Sequence, residues 1–156
     1  MQEPITMYLE ESMSLSLVRL CKAFRQQGEV WCQKIGLHTG QELVIFRLLE
    51  EDGLSQSQLA ARLGVEIGTV AKTVHRMEKE GLLIRRQDAE DARISRVYLT
   101  EKGRSLGEPA LQIWKDLDAC LVHGMSQAEQ LLFHRLLVHA AANFPRSSFS
   151  SSDEHP

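Results

Sequence analysis

Thr69, Lys72, Thr73 and Arg76 recur on one side of a helical repeat, with Gly68 beside them. Lysine and arginine donate to phosphate oxygens or to guanine edges. Threonine offers a hydroxyl to phosphate and a methyl group to thymine, and glycine allows a close backbone approach. A second basic set, Arg85, Arg86, Arg93 and Arg96, brackets the acidic residues Asp88, Glu90 and Asp91. An arginine on such a hairpin suits a narrow minor groove while a neighbouring helix lies in the major groove. Ser55, Gln56 and Ser57 open a further helix, whose N–H groups and hydroxyls suit phosphate contacts.

The elements that must position these residues are legible between 54 and 103. Ser55 and Gln58 have the spacing of a capping box, and Leu59, Ala60 and Leu63 point inward from the helix that follows. Gly64 supplies a left-handed stop and Val65 plugs the turn. Glu66 is expected to cap a second helix, with Val70, Val74 and Met77 as its buried stripe. Gly81 ends that helix. Leu82–Arg86 and Ile94–Leu99 then form extended runs joined by Gln87–Arg93, and Leu54 is expected to add a short edge strand. Two helices, a tight turn and a charged hairpin make a winged helix-turn-helix.

Around this lobe the pattern is helical. From Tyr8 to about Lys34, Leu17, Leu20, Cys21, Phe24, Gly28 and Trp31 recur at spacings of a long amphipathic helix. Thr39 and Glu42 predict a capping box for a short apolar helix ending at Glu51. After the hairpin, Thr100 caps a helix expected to reach about His123, weakened early by Gly103, Gly107 and Pro109. Ser126 and Glu129 start the last helix under another capping box. The expectation is a mainly α fold with a small β-hairpin wing, formed by a single domain over 8–144. Residues 1–7 read as an arm and 145–156, rich in Ser, as a disordered tail. The terminal helices carry more apolar surface than one small domain can cover, which predicts a homodimer.

Length and composition fit one globular domain: 156 residues, 43% hydrophobic and 25% charged. No run of apolar residues is long enough for a membrane span and no secretion signal opens the chain, so a cytoplasmic protein is expected. The net charge of −3 is unevenly spread: residues 62–104 hold ten Lys or Arg against seven Asp or Glu, and the remainder eight against fourteen. Positive charge collects where the hairpin and second helix lie. Cys21 and Cys32 sit on one helix face but about 16 Å apart along the axis, too far to pair. Cys120 and His123 share a face, whereas His134 and His139 diverge, so no metal set is assigned. No Ser-His-Asp order, phosphate-cradling glycine loop or paired carboxylates appear, so no enzyme is expected.

The segments LGV-E-x-x-T-V at 63–70, M-E-K-E-G-L-L at 77–83, and D-A-E-D-A-R with V-Y-L-T-E-K-G within 88–103 resemble the MarR family of winged helix-turn-helix transcriptional regulators, and the likeness runs from about Tyr8 to Phe144. The resemblance implies that Arg93 is the minor-groove reader and that Asp91 supports the wing. Many members carry a basic residue before that arginine; here the position is Ala92, which shifts the expectation toward Arg96. It also implies dimerisation helices over 8–36 and 101–144, a DNA-binding lobe over 39–100, and a pseudopalindromic double-stranded operator. A small, often aromatic effector is implied between the dimerisation helices and that lobe, with Phe24, Trp31, His38, Phe46 and Trp114 as candidate lining residues. The implied function is a repressor released by that effector, with no cofactor. Alternatives of the same fold are a redox- or metal-responsive regulator and an effector-free architectural DNA-binding protein. The peroxide-sensing branch places its cysteine near the start of the first helix with tyrosines close by, a pattern not evident here.

Overall fold

A computed structural model describes residues 8–9 and 11–144. The expected arm and tail therefore lie outside the described residues. The chain divides into two compact units between Asp118 and Ala119. In order, the elements are α1 (Met13–Lys34), α2 (Gln41–Glu50), β1 (Leu54–Ser55), α3 (Gln56–Leu63), α4 (Ile67–Lys79), β2 (Leu83–Gln87), β3 (Ser95–Leu99), α5 (Glu101–Ser105), α6 (Gly107–Leu121) and α7 (Gln127–Ala142). The result is the expected mainly helical fold with a small antiparallel sheet, ordered β1-β3-β2.

The first unit owns the core. Leu37, Val44, Ile45, Leu48, Leu54, Leu59, Val70, Val74, Met77, Leu82, Leu83 and Val97 are all buried and form one cluster. Helix α4 joins it through Val70, Val74 and Met77, which recur at helical spacing and leave the rest of its circumference to solvent. In β3 the period-two alternation turns Val97 and Leu99 inward. Register is fixed on both sides: Leu54 pairs with Val97, and Leu83, Ile84, Arg85, Arg86 and Gln87 pair with Leu99, Tyr98, Val97, Arg96 and Ser95. A one-residue slip would turn Val97 and Leu99 to water, so the core sets the register of the wing.

Local chemistry starts and stops these helices. Ser55 forms the full capping box with Gln58, and Gly64, at φ 65°, caps the other end of α3 in the left-handed region. The start of α2 differs from expectation. Its N-cap is Gly40, at φ 97°, and Thr39 instead donates its N–H to Glu29 at 2.8 Å. The helix predicted from Thr100 to His123 is interrupted at Leu106, giving α5 and α6. Glycines at 103 and 107 bracket that break.

The second unit contains α7, started by the Ser126–Glu129 capping box. No residue of α7 is buried, and Leu131, Leu132, Leu136, Leu137 and Val138 are exposed. In the first unit Met13, Leu17, Val18 and Leu20 on α1 are exposed as well. Among the described residues, no helix is long and apolar enough to cross a membrane.

Candidate nucleic-acid interface

Helix α4 presents Thr69, Lys72 and Arg76 to solvent, and Gly68 is exposed beside them. Thr73 is half-buried, and its hydroxyl donates to the Thr69 carbonyl at 3.0 Å, leaving its methyl group as the outward feature. At about 100° per residue, Lys72 lies opposite the buried stripe together with His75 and Lys79. Both are exposed, and neither was singled out from the sequence; the helical wheel alone would have found them. At the start of α3, Ser57 is exposed while Ser55 and Gln56 are half-buried. Ser55 Oγ accepts from the Gln58 N–H at 3.2 Å, so the cap occupies it as an acceptor and leaves its proton to donate. The N–H groups of Gln56 and Ser57 have no acceptor within the helix and point outward, as suits an anion.

The wing sorts its arginines by what they touch. Arg85 is on the face of β2 that continues the core, and it donates to Glu78 Oε2 from Nε at 2.9 Å and from Nη2 at 2.6 Å. These two bonds to one carboxylate oxygen tie the hairpin to α4 and hold the Glu78 carboxyl below its ordinary range. On the other face, Arg86 and Arg96 stand directly opposite each other in register. Like charges so placed repel. The repulsion is relieved because Arg96 pairs with Asp88 and donates to the Gly53 carbonyl at 3.0 Å, while Arg86 lies over the Tyr98 ring at 5.5 Å from its centroid. Arg96, an expected DNA contact, is thus committed to the wing stem. Arg86 remains exposed at the edge.

Asp88, which sequence reasoning passed over, holds the tip. Its Oδ1 accepts from the N–H groups of Glu90 at 2.9 Å and Asp91 at 3.0 Å, and its Oδ2 takes Arg96. Asp91 has a smaller share of the same work, accepting from the Arg93 N–H at 2.9 Å while its carbonyl accepts from Ile94 at 2.9 Å. The turn-forming spacing of Asp88 with the following N–H groups was the available signal. The Arg93 side chain is exposed at the tip, and among the described residues it has no ion-pair partner.

The Arg96 bond, followed by the Asp91 and Glu90 N–H bonds, lowers the Asp88 carboxyl to about 2. A carboxylate depressed in the folded state contributes above its unfolded pKa of about 4 and is lost as pH falls toward the folded value. The brace is therefore fully present at neutral pH and fails between about pH 4 and pH 2. We expect Asp88→Ala to speed amide exchange at Glu90 and Asp91 and to weaken DNA binding several-fold, with little change in melting temperature. Unaltered exchange at both amides would remove Asp88 from this role.

The predicted effector residues separate into different environments. Trp114 meets Phe24 and Phe46 edge-on, with centroids at 6.5 Å and 6.3 Å, so these rings pack against one another. Trp31 instead lines an open, mainly apolar groove of about 500 Å³ with Lys34, Ile35, Pro109, Gln112, Ile113 and Asp116. His38 is apart from both roles: its Nδ1 lies 3.1 Å from Glu29 Oε1, and half of its side chain is exposed.

Cys32 is 2% exposed, and burial, followed by the charges of Glu42 and Glu29, pushes its thiol up to about 11. The thiolate is the reactive form. Alkylation at pH 8 should therefore modify Cys32 only after unfolding, as read by peptide mass spectrometry; rapid native modification would contradict this packing. Cys21 and Cys120 are exposed.

A helix packed by its inner stripe, an outward cationic face and a braced hairpin define a winged helix-turn-helix protein. Residues 38–95 match the model of the MarR family. Over that segment the chain is similar to the winged-helix domain of MarR-family transcriptional regulators. It is 29% identical over 107 residues to the organic hydroperoxide resistance transcriptional regulator of Bacillus subtilis (strain 168), covering 69% of this chain and 73% of that protein. The solved structure of a MarR transcriptional regulator from Methanosarcina mazei Go1 is similar with a TM-score of 0.73 and 25% identity, covering 84% of this chain and 94% of the other. The fold also matches that of S. aureus MepR in a MepR–DNA complex, with a TM-score of 0.78 at 22% identity, over 85% of this chain and 98% of the other.

Proposed function

We propose that this regulator binds a pseudopalindromic operator as a homodimer and represses transcription until a small aromatic effector releases it. The observation that carries the DNA-binding geometry is the pairing of an outward α4 face, with Lys72 and Arg76 exposed, and an exposed Arg93 on a hairpin braced by Asp88. In this reading α4 occupies the major groove, with Thr69, Lys72, Thr73 and Arg76 at bases and phosphates. Arg93 enters the adjacent minor groove, Arg86 flanks it, and Ser55, Gln56 and Ser57 meet phosphates at the start of α3. The lobe over 39–100 carries these contacts.

Dimerisation is assigned to 8–36 and 101–144. The exposed apolar residues of α1 and, separately, of α7 support this, because large apolar surfaces of this kind are usually covered. A two-fold dimer would present its recognition helices to half-sites about one helical turn apart. For the effector, Trp31 and its groove are better suited than Phe24, Phe46 and Trp114, whose rings already fill one another's space. A ligand there releases DNA only if it binds the DNA-incompetent spacing more tightly than the competent one.

Selection of genomic fragments by the purified full chain, followed by anisotropy titration at several salt concentrations, tests the reading. The expected result is a salt-sensitive preference for fragments with inverted half-sites, by a protein that scatters light as a dimer. No preference for any fragment, or a folded monomer at micromolar concentration, would overturn it. A promoter fusion carrying the selected site then distinguishes repression from activation.

A further inference from the structure

The first turn of α4 is poorly suited to the protein's own stability at consecutive positions. Glu66 occupies the N-cap but makes no side-chain hydrogen bond there, although a short hydroxyl or carboxamide side chain would satisfy a helix N–H. Ile67 follows, 53% exposed, and among the described residues of α3 and α4 it is the one large hydrophobic side chain left so open. Gly68 comes next. A Cβ built there meets nothing within 4 Å, so no packing among the described residues requires glycine, a poor helix former.

A single exposed apolar side chain is ordinary. Its coincidence with an idle cap and an unneeded glycine, at the end of the helix that a groove would receive first, is not. Local choices that break the rules of the element without internal compensation point to contacts outside the chain. On the major-groove edge the apolar feature is the C5 methyl group of thymine, and a side chain with no donor or acceptor can sense that group and nothing else there.

We propose that Ile67 reads the methyl group of one thymine in each half-site, while Gly68 removes the Cβ that would hold α4 off the base edges. This rests on the operator-binding reading above and adds a specificity-determining contact to it. Isoleucine excludes water from the methyl group and prefers thymine over cytosine at that position. α4 enters the groove by its N-terminal end, so Ile67 meets the bases there, while Lys72 and Arg76, about 140° and 180° around the helix from it, make their polar contacts further along.

The test uses the selected operator fragment, synthesised with deoxyuridine replacing thymidine at one position at a time, and the full chain. Uracil pairs as thymine does but lacks the methyl group. We expect one position per half-site at which this replacement weakens binding about fourfold, the effect of uncovering one methyl-sized apolar group. Ile67→Ala, which removes the contact from both half-sites, should weaken binding to the thymine operator about sixteenfold and lose sensitivity at that position alone. Because Ile67 is exposed, this variant should keep the melting temperature, and the uracil scan of the unaltered protein needs no variant. Sequence-selective binding indifferent to every uracil, or an Ile67→Ala protein as sensitive as the parent, would overturn the proposal and leave the operator reading standing. Absence of any sequence preference would sink both.

Discussion

Replacing Arg93 by alanine is expected to weaken operator binding about a hundredfold while leaving the fold intact. Its backbone N–H is held by Asp91, and its side chain projects from the tip of the hairpin without a partner among the described residues. Removing the guanidinium therefore costs no ion pair among the described residues. An arginine in a narrow minor groove sits where the negative potential is concentrated, and such a contact contributes about 1 to 3 kcal/mol. A value near 1.4 kcal/mol in each of two wings gives the hundredfold loss, since that energy is a factor of ten. Lys72→Ala and Arg76→Ala should each cost less in total if they touch phosphates only. Anisotropy titration at fixed salt measures the effect, and a loss of under about threefold would mean that the wing tip does not enter the groove.

Gly103→Ala is expected to destabilise the whole protein by about 3 kcal/mol, the upper end for forcing an added methyl group into a packed site. A Cβ at 103 would stand 2.2 Å from the Leu82 carbonyl oxygen and 3.0 Å from Leu99 Cδ2. The carbonyl cannot retreat, because it already accepts from the Thr100 N–H at 3.0 Å, and Thr100 Oγ1 donates to the neighbouring Gly81 carbonyl at 2.7 Å. These bonds clamp α5 to the start of the hairpin. Gly107→Ala makes a useful contrast: its Cβ would meet Leu49 Cδ1 at 2.5 Å, the end of a flexible and exposed side chain that can turn aside. A thermal melt should show roughly a 10 °C fall for Gly103→Ala. A melt within about 2 °C of the parent would show that the clamp is softer than its hydrogen bonds imply.

These predictions divide by how visible their residues were beforehand. Arg93 was expected at the wing from the family resemblance, and the structure leaves it exposed at the tip of the hairpin. The role of Arg96 was not legible, because its type and spacing match those of a groove contact. Only the folded hairpin brings Asp88 and the Gly53 carbonyl onto its guanidinium. Phe24, Phe46 and Trp114 present the same difficulty: an aromatic residue lining a ligand site and one filling a core look alike in a chain. Their edge-on packing, and the separate groove at Trp31, follow from how α1, α2 and α6 come together within the first unit.

The sequence by itself determined the order of elements up to the hairpin, the helix starts at Ser55, Thr100 and Ser126, the buried stripe of α4 and the charged hairpin, but not the break at Leu106 that divides α5 from α6. Periodicity, capping and turn chemistry act over a few residues, and each is written in neighbouring side chains. The tertiary structure alone decided which arginines are spent inside the protein, that Gly40 rather than Thr39 opens α2, and that Gly103 has no room for a methyl group. Those outcomes depend on atoms brought together from distant parts of the chain. Whether a given charge or cavity is used up or left open is settled by that distant neighbour, not by the residue that bears it.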